Sequence, residues 1–222
     1  CGIGWDEVIK LLCQNETYPF RNMPLPYAYD ALEPSIDGET MRLHHERYLQ
    51  GYIDRLNGIL KNCPFLQEMT LEELLAAAKT FPPALREPVC RNAGGVFNHR
   101  FYFSGMSPDS PEEPVGELNA SICRCFGSFE RFRKEFKEAA LSVFGSGYAW
   151  LFRLPGGALR ICTTPNQQTP LARNMHPVLN VDVCEHAYFL KHVNLREEYV
   201  NSWFQVVDWN EAESRYLCAL TT

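Results

Sequence analysis

The sequence lacks the features that mark membrane-spanning and nucleic-acid-binding proteins. No stretch approaches the roughly 20 consecutive apolar residues that a membrane-spanning helix needs, and no tract of clustered Lys and Arg occurs. The formal net charge is −6, whereas binding to a phosphate backbone depends on clustered positive charge. We therefore expect no membrane and no nucleic acid among the partners of this protein.

The cysteines lack the regular spacing of a disulfide framework or of a zinc ribbon. There are nine of them, an odd number, and they are scattered irregularly from Cys1 and Cys13 to Cys218. We expect them to be reduced and mostly buried. This predicts a reducing compartment, which is the cytoplasm, or an organelle if the protein is eukaryotic.

The first half of the chain carries helical patterns. Apolar residues recur at helical spacing from Glu39 to Lys61 and again from about Pro83 to Phe101. A capping box that begins at Thr70 predicts a short helix between them. Together these patterns predict an antiparallel helical hairpin.

The second half of the chain combines helices with strands. A helix capped by Ser128 precedes two runs rich in aromatic and β-branched residues, Tyr148–Leu154 and Ala158–Thr163, which flank a Pro-Gly-Gly turn. Val178–Val183 supplies a third strand. Helices close the chain, and we expect them at about 197–207 and 210–220.

A stretch rich in proline and acidic residues separates these halves. The chain has 222 residues, of which 45% are hydrophobic, and this length allows one domain or two. Ser107–Pro114 interrupts regular structure, which favours two. The predicted α+β fold has an N-terminal helical hairpin domain with a leading extension (1–106), a linker (107–115), and a C-terminal α/β domain with a three-stranded antiparallel sheet flanked by helices (116–222).

Metal-ligating residue types occur at and just after the end of the third strand. Asp182 and His186 are four residues apart, and the earlier His44 and His99 each lie in a predicted helix. A fold that unites them offers three imidazole nitrogens and one carboxylate oxygen to one ion. This donor set suits manganese or iron, since calcium prefers oxygen alone and structural zinc usually prefers thiolates.

Six segments of the chain resemble the iron/manganese superoxide dismutase family. They occur in family order and at family spacing, and they span nearly the whole chain. The segments are Leu25–Pro34, Glu39–His45, Gly94–His99, Phe144–Trp150, Asn166-Gln167 and Asp182–Tyr188.

The resemblance implies an oxidoreductase that binds one manganese or iron ion per chain. His44, His99, Asp182 and His186 match the metal ligands of the family. The implied activity is superoxide dismutase, which converts superoxide to dioxygen and hydrogen peroxide while the metal is alternately oxidised and reduced.

The choice of metal is indicated by Gly95 and Gln167. In this family, iron-type enzymes usually have a glutamine at the position of Gly95, whereas manganese-type enzymes supply that amide from the position of Gln167. A side chain at residue 95 would compete for the space that the Gln167 amide must enter. We therefore expect manganese, with iron as the alternative, because members of this family that use either metal exist.

The resemblance also implies roles for residues around the metal. Tyr52 shares a helix face with His44 and matches the gateway tyrosine that meets substrate. Glu185 matches a residue that hydrogen-bonds His186 of a second subunit, so we expect a homodimer, with a tetramer possible. The remaining matches are His45 near the site, Trp150 in the aromatic wall, and Arg47 and Arg196 as cations near the substrate funnel.

Several positions depart from the family pattern. Tyr48 and Phe189 stand where the family usually has a histidine and a tyrosine that pair across the dimer. Phe103, Tyr148 and Cys184 occupy positions that are commonly tryptophan. Because these residues around the metal site differ from the family pattern, a second interpretation stays open. In it, the chain is a metal-binding protein of the same fold with little dismutase activity. A zinc hydrolase is disfavoured, because the chain has no His-Glu-x-x-His motif.

Overall fold

The structure is a computed structural model in which residues 16–173 and 175–218 are described, with the backbone alone for 172 and 173. The expectations for Cys1, for Cys13 and for the end of the last helix at Leu220 lie outside the described residues.

The N-terminal part is the expected helical hairpin. Helix α1 (Gly38–Leu43) continues through a π-helical segment (His44–Leu49) into α2 (Gln50–Leu60). The helices α3 (Leu71–Ala77) and α4 (Pro83–Phe103) follow.

Local capping fixes where these helices begin. The Asp37 carboxylate accepts a hydrogen bond from the Thr40 backbone N–H at 2.9 Å and so caps α1. Thr70 and Glu73 form the predicted capping box of α3. The buried face of α2 packs against α4 and forms the core of the hairpin.

The C-terminal part wraps helices around a sheet of three strands. The strand β1 lies in the centre and pairs antiparallel with both β2 and β3, and all seven of its residues are buried. Pairing of Tyr148 with Asp182 brings the start of β1 beside the end of β3. The elements are α5 (Gly116–Phe126), α6 (Phe129–Ser142), β1 (Gly147–Arg153), β2 (Leu159–Pro165), β3 (His176–Asp182), α7 (Phe189–His192), α8 (Arg196–Trp203) and α9 (Trp209–Cys218).

The α+β prediction is confirmed, with differences in detail. The predicted helix 39–61 contains the π-helical segment, and α8 ends at Trp203 rather than at Val207. The predicted domain boundaries stay a prediction. No helix among the described residues is long and apolar enough to cross a bilayer.

The expectation of mostly buried cysteines is wrong for the described part of the chain. Cys184 is buried, whereas Cys123, Cys125 and Cys218 are exposed. The exposed cysteines lie on helices whose buried stripe is filled by Leu, Ile and aromatic residues, so a thiol is not needed there for packing. Free thiols are carried by Cys63, Cys90, Cys123, Cys125 and Cys184.

Candidate metal centre

The four predicted ligands converge at one point in the structure. Oδ2 of Asp182 lies 3.3 Å from Nε2 of His44, 3.8 Å from Nε2 of His99 and 3.4 Å from Nε2 of His186. All four ligand atoms lie within 4.8 Å of one another. They come from the π-helical segment, from α4, from the end of β3 and from the 3₁₀ turn Glu185–Ala187.

These four atoms fit a metal ion. Each is buried, and none has a hydrogen-bond partner among the described residues. Burying polar atoms without partners is costly, and one cation at their centre would satisfy all of them. Three imidazole nitrogens and one carboxylate oxygen form a donor set that suits manganese or iron.

Burial sets the protonation states that a metal site needs. It lowers the pKa of His44 to about 4 and that of His99 to about 3, so both imidazoles are neutral at pH 7. Burial alone would raise the pKa of Asp182, but His186 and His44 hold it well below its ordinary value. His44 and His99 therefore present neutral nitrogens beside the negative charge of Asp182.

Hydrogen bonds from outside the cluster orient its members. The Nδ1–H of His99 donates to the Gly95 carbonyl at 2.7 Å, which leaves the lone pair on Nε2. Oδ1 of Asp182 accepts from the Cys184 backbone N–H at 2.8 Å. The Tyr199 hydroxyl donates to the Asp182 carbonyl at 2.8 Å, a support that the sequence analysis missed because Tyr199 reads as ordinary core.

Gln167 is buried and its amide is held by two donors. Its Oε1 accepts from the Tyr148 hydroxyl at 3.1 Å and from Nδ2 of Asn98 at 3.3 Å. The Nε2 group is therefore the end left to donate. Tyr148 also lies 3.4 Å from Nδ1 of His99, so this tyrosine, which stands where the family commonly has tryptophan, links the amide to the cluster.

The first contact of a side chain at Gly95 would be with Tyr52. A Cβ atom added at Gly95 would overlap the Tyr52 ring, whereas one added at Gly94 would overlap the Gln167 carbonyl oxygen. Tyr52 thus limits the space at residue 95, and competition of a longer side chain with the Gln167 amide stays a prediction. The Tyr52 ring lies 5.3 Å from the His99 ring, and burial raises the pKa of its hydroxyl.

We expect Gly95→Ala to destabilise the metal-free protein by about 1–3 kcal/mol, because the new methyl group must displace the Tyr52 ring. Gly58→Ala is the matched control, since no atom lies within 4 Å of a Cβ added there. The control should be more stable than the wild type by about 1 kcal/mol, because alanine has a higher helix propensity than glycine. Urea unfolding measures both, and equal stabilisation by the two substitutions would contradict the contact.

His45 and Trp150 lie near the site but contact other groups. His45 accepts from the Tyr29 hydroxyl at 3.0 Å and donates through Nε2 to the Met23 carbonyl at 2.9 Å. It therefore ties the segment before α1 to the helix that carries His44. Trp150 is fully buried and donates to Oγ1 of Thr164 at 2.9 Å.

Arg196 is engaged by backbone carbonyls and a tyrosine hydroxyl, and its place near the substrate funnel stays a prediction. Its guanidinium donates to the carbonyls of Val143 and Gly145 and to the Tyr188 hydroxyl. These contacts favour a structural role over steering. Arg47 and Glu185 are both exposed.

Arg55 is a cation beside Tyr52 that was not predicted from the sequence. Its guanidinium lies 4.9 Å from the centroid of the Tyr52 ring, and its Nε donates to Oδ1 of Asn92 at 3.2 Å. The available signal was its spacing, because a residue three positions after Tyr52 shares its helix face.

Comparison with known proteins agrees with this architecture. Residues 19–107 match the α-hairpin domain of the iron/manganese superoxide dismutases, and residues 114–215 match their C-terminal domain. The chain belongs to the iron/manganese superoxide dismutase family. The predicted membership in this oxidoreductase family is confirmed.

Individual members of the family are similar over most of their length. A Pseudomonas aeruginosa protein named manganese superoxide dismutase is 45% identical over 197 residues, which cover 89% of this chain and 97% of the relative. A Leptolyngbya boryana protein named manganese superoxide dismutase 3 is 43% identical over 201 residues, 90% of this chain and 84% of the relative. A manganese superoxide dismutase of Pseudomonas putida is 43% identical over 196 residues, 88% of this chain and 96% of the relative.

Proposed function

We propose that this protein is a superoxide dismutase that uses one manganese ion per chain, with iron as the alternative metal. The ion would be held by His44, His99, Asp182 and His186. The observation that carries the proposal is the convergence of four buried ligand atoms that lack a hydrogen-bond partner among the described residues. The names of the three similar proteins support manganese.

The bound metal would supply the redox couple through which superoxide is alternately oxidised to dioxygen and reduced to hydrogen peroxide. The reduction also consumes protons, and Tyr52 carries one on a half-buried hydroxyl beside His99. Because burial raises the pKa of this hydroxyl, it keeps its proton at neutral pH and can donate a hydrogen bond. The Nε2 group of Gln167 is a second donor.

The aromatic side chains around the cluster keep bulk water away from it. The Phe103 ring lies 4.9 Å from the His44 ring, and the Tyr102 ring lies 5.4 Å from it. Both are buried. A metal store would have no need for Gln167 and Tyr52 beside its ligands, so their placement favours catalysis over the alternative of a binding protein with little activity.

The same proposal includes a homodimer, or a tetramer built from it, in the cytoplasm or an organelle. Glu185 is exposed beside His186, where it is free to reach a second copy. Phe189 and Leu190 in α7 and Val193 directly after this helix are also exposed. Clustered exposed apolar side chains favour association with another protein surface. The free thiols support a reducing compartment.

The proposal is tested by reconstituting metal-free protein with manganese or with iron. We expect one ion per chain by elemental analysis, the mass of a dimer or tetramer by light scattering, and higher dismutase activity with manganese. Stoichiometric metal without activity would favour the binding protein. Activity with iron alone would overturn the metal assignment, and the mass of a single chain would overturn the dimer.

A further inference from the structure

His186 is the least protected of the four proposed ligands. Its side chain is 12% exposed, whereas those of His44, His99 and Asp182 are fully buried. It lies in a single 3₁₀ turn, Glu185–Ala187, while His99 lies in a long helix and has its ring fixed by the Gly95 carbonyl. Within one chain, the orientation of the His186 ring therefore depends on what packs against it.

Tyr48 packs against that ring. The two rings are stacked, with centroids 4.0 Å apart and planes inclined by 17°. Tyr48 also meets the His44 ring edge-on at 6.4 Å, because both residues lie in the π-helical segment His44–Leu49, four positions apart. The π-helical segment thus supplies one proposed ligand, His44, and also the aromatic ring that packs on another, His186.

The stacked contact has two physical consequences. A ring that lies flat on an imidazole opposes rotation of that imidazole, and such aromatic pairs stabilise a structure beyond the area they bury. Since Tyr48 is itself 45% exposed, its ring also stands between solvent and the covered face of His186.

We propose that Tyr48 is a positioning residue of the metal centre, whose ring holds the His186 imidazole in its binding orientation and shields it from solvent. This rests on the proposed function only in taking the four-residue cluster as the metal site. It gives a role to a position where the family usually has a histidine, which would present a smaller ring to His186.

The test is the rate at which manganese-loaded protein releases its metal to excess chelator. Tyr48→Ala should release manganese about ten-fold faster than the wild type, in the range found when a group that orients a ligand is removed. Tyr48→Phe keeps the ring and should release at the wild-type rate. Phe65→Ala, which truncates a 67% exposed aromatic residue elsewhere on the surface, is the matched control and should also leave the rate unchanged.

Two results would overturn the proposal. Release from Tyr48→Ala at the wild-type rate would show that the ring does not hold His186. Release from Tyr48→Phe as fast as from Tyr48→Ala would assign the effect to the hydroxyl group.

A second variant covers the case in which Tyr48→Ala does not fold, as judged by its thermal unfolding without metal. Tyr48→Leu keeps apolar bulk but has no flat ring, and it should also release manganese faster than wild type. Wild-type release from Tyr48→Leu would likewise refute the proposal. Because release is measured without superoxide, a wild-type protein that lacks dismutase activity would contradict the proposed function alone.

Discussion

Asp182→Ala is expected to lose both the metal and dismutase activity. Asp182 is the only anionic member of the cluster, and its Oδ2 lies within 3.8 Å of all three imidazole Nε2 atoms. Removing one partner from a buried charge pair weakens the interaction by about a hundred- to ten-thousand-fold. We expect a similar loss of metal affinity, measured by elemental analysis after dialysis and by the dismutase assay on the same sample.

Two companion variants separate charge from folding. Asp182→Asn keeps the shape of the side chain and removes its charge, so it should lose metal almost as fully. Asp54→Ala removes an exposed carboxylate whose described partner is the Gln50 amide, and it should keep both metal and activity. A metal-free Asp182→Ala protein with normal activity would refute the role of this residue.

Gln167→Ala is expected to keep the metal and lose about 10- to 100-fold in activity, since residues beside the ligands tune a metal site rather than hold the ion. The amide is fixed by Tyr148 and Asn98 through Oε1, and its Nε2 group is the donor that would be lost. The reduction potential of the bound metal should shift as well. Elemental analysis, steady-state kinetics and a redox titration measure the three effects.

Neighbouring variants make this expectation specific. Gln168→Ala changes the adjacent, exposed glutamine and should behave as wild type. Tyr148→Phe removes one of the two donors to Oε1 and should cause a smaller fall in activity than Gln167→Ala. An empty metal site in Gln167→Ala, or unchanged turnover and reduction potential, would contradict this role of Gln167.

Periodicity and resemblance predicted different parts of this structure. Helices such as α2 and α4 could be predicted because apolar residues at fixed spacing share one buried face. The convergence of His44 and His99 with the end of β3 came from the family resemblance, since residues far apart in the chain carry no local signal of spatial proximity.

Other features could not be predicted because they depend on packing between elements. The π-helical segment has the same apolar pattern as an α-helix, so His44 looked like a residue of one uninterrupted helix. The overlap that a side chain at Gly95 would make with Tyr52 joins α4 to α2. The stacking of Tyr48 on His186 joins the first half of the chain to the second, and spacing along the chain does not report such contacts.

The most direct test of the account is anomalous X-ray scattering from crystals of the manganese-loaded protein, recorded at the manganese absorption edge. We expect one strong peak per chain, within coordination distance of Nε2 of His44, His99 and His186 and of Oδ2 of Asp182. A peak at any other place, or a peak that any one of these four atoms fails to reach, would contradict the proposed metal centre.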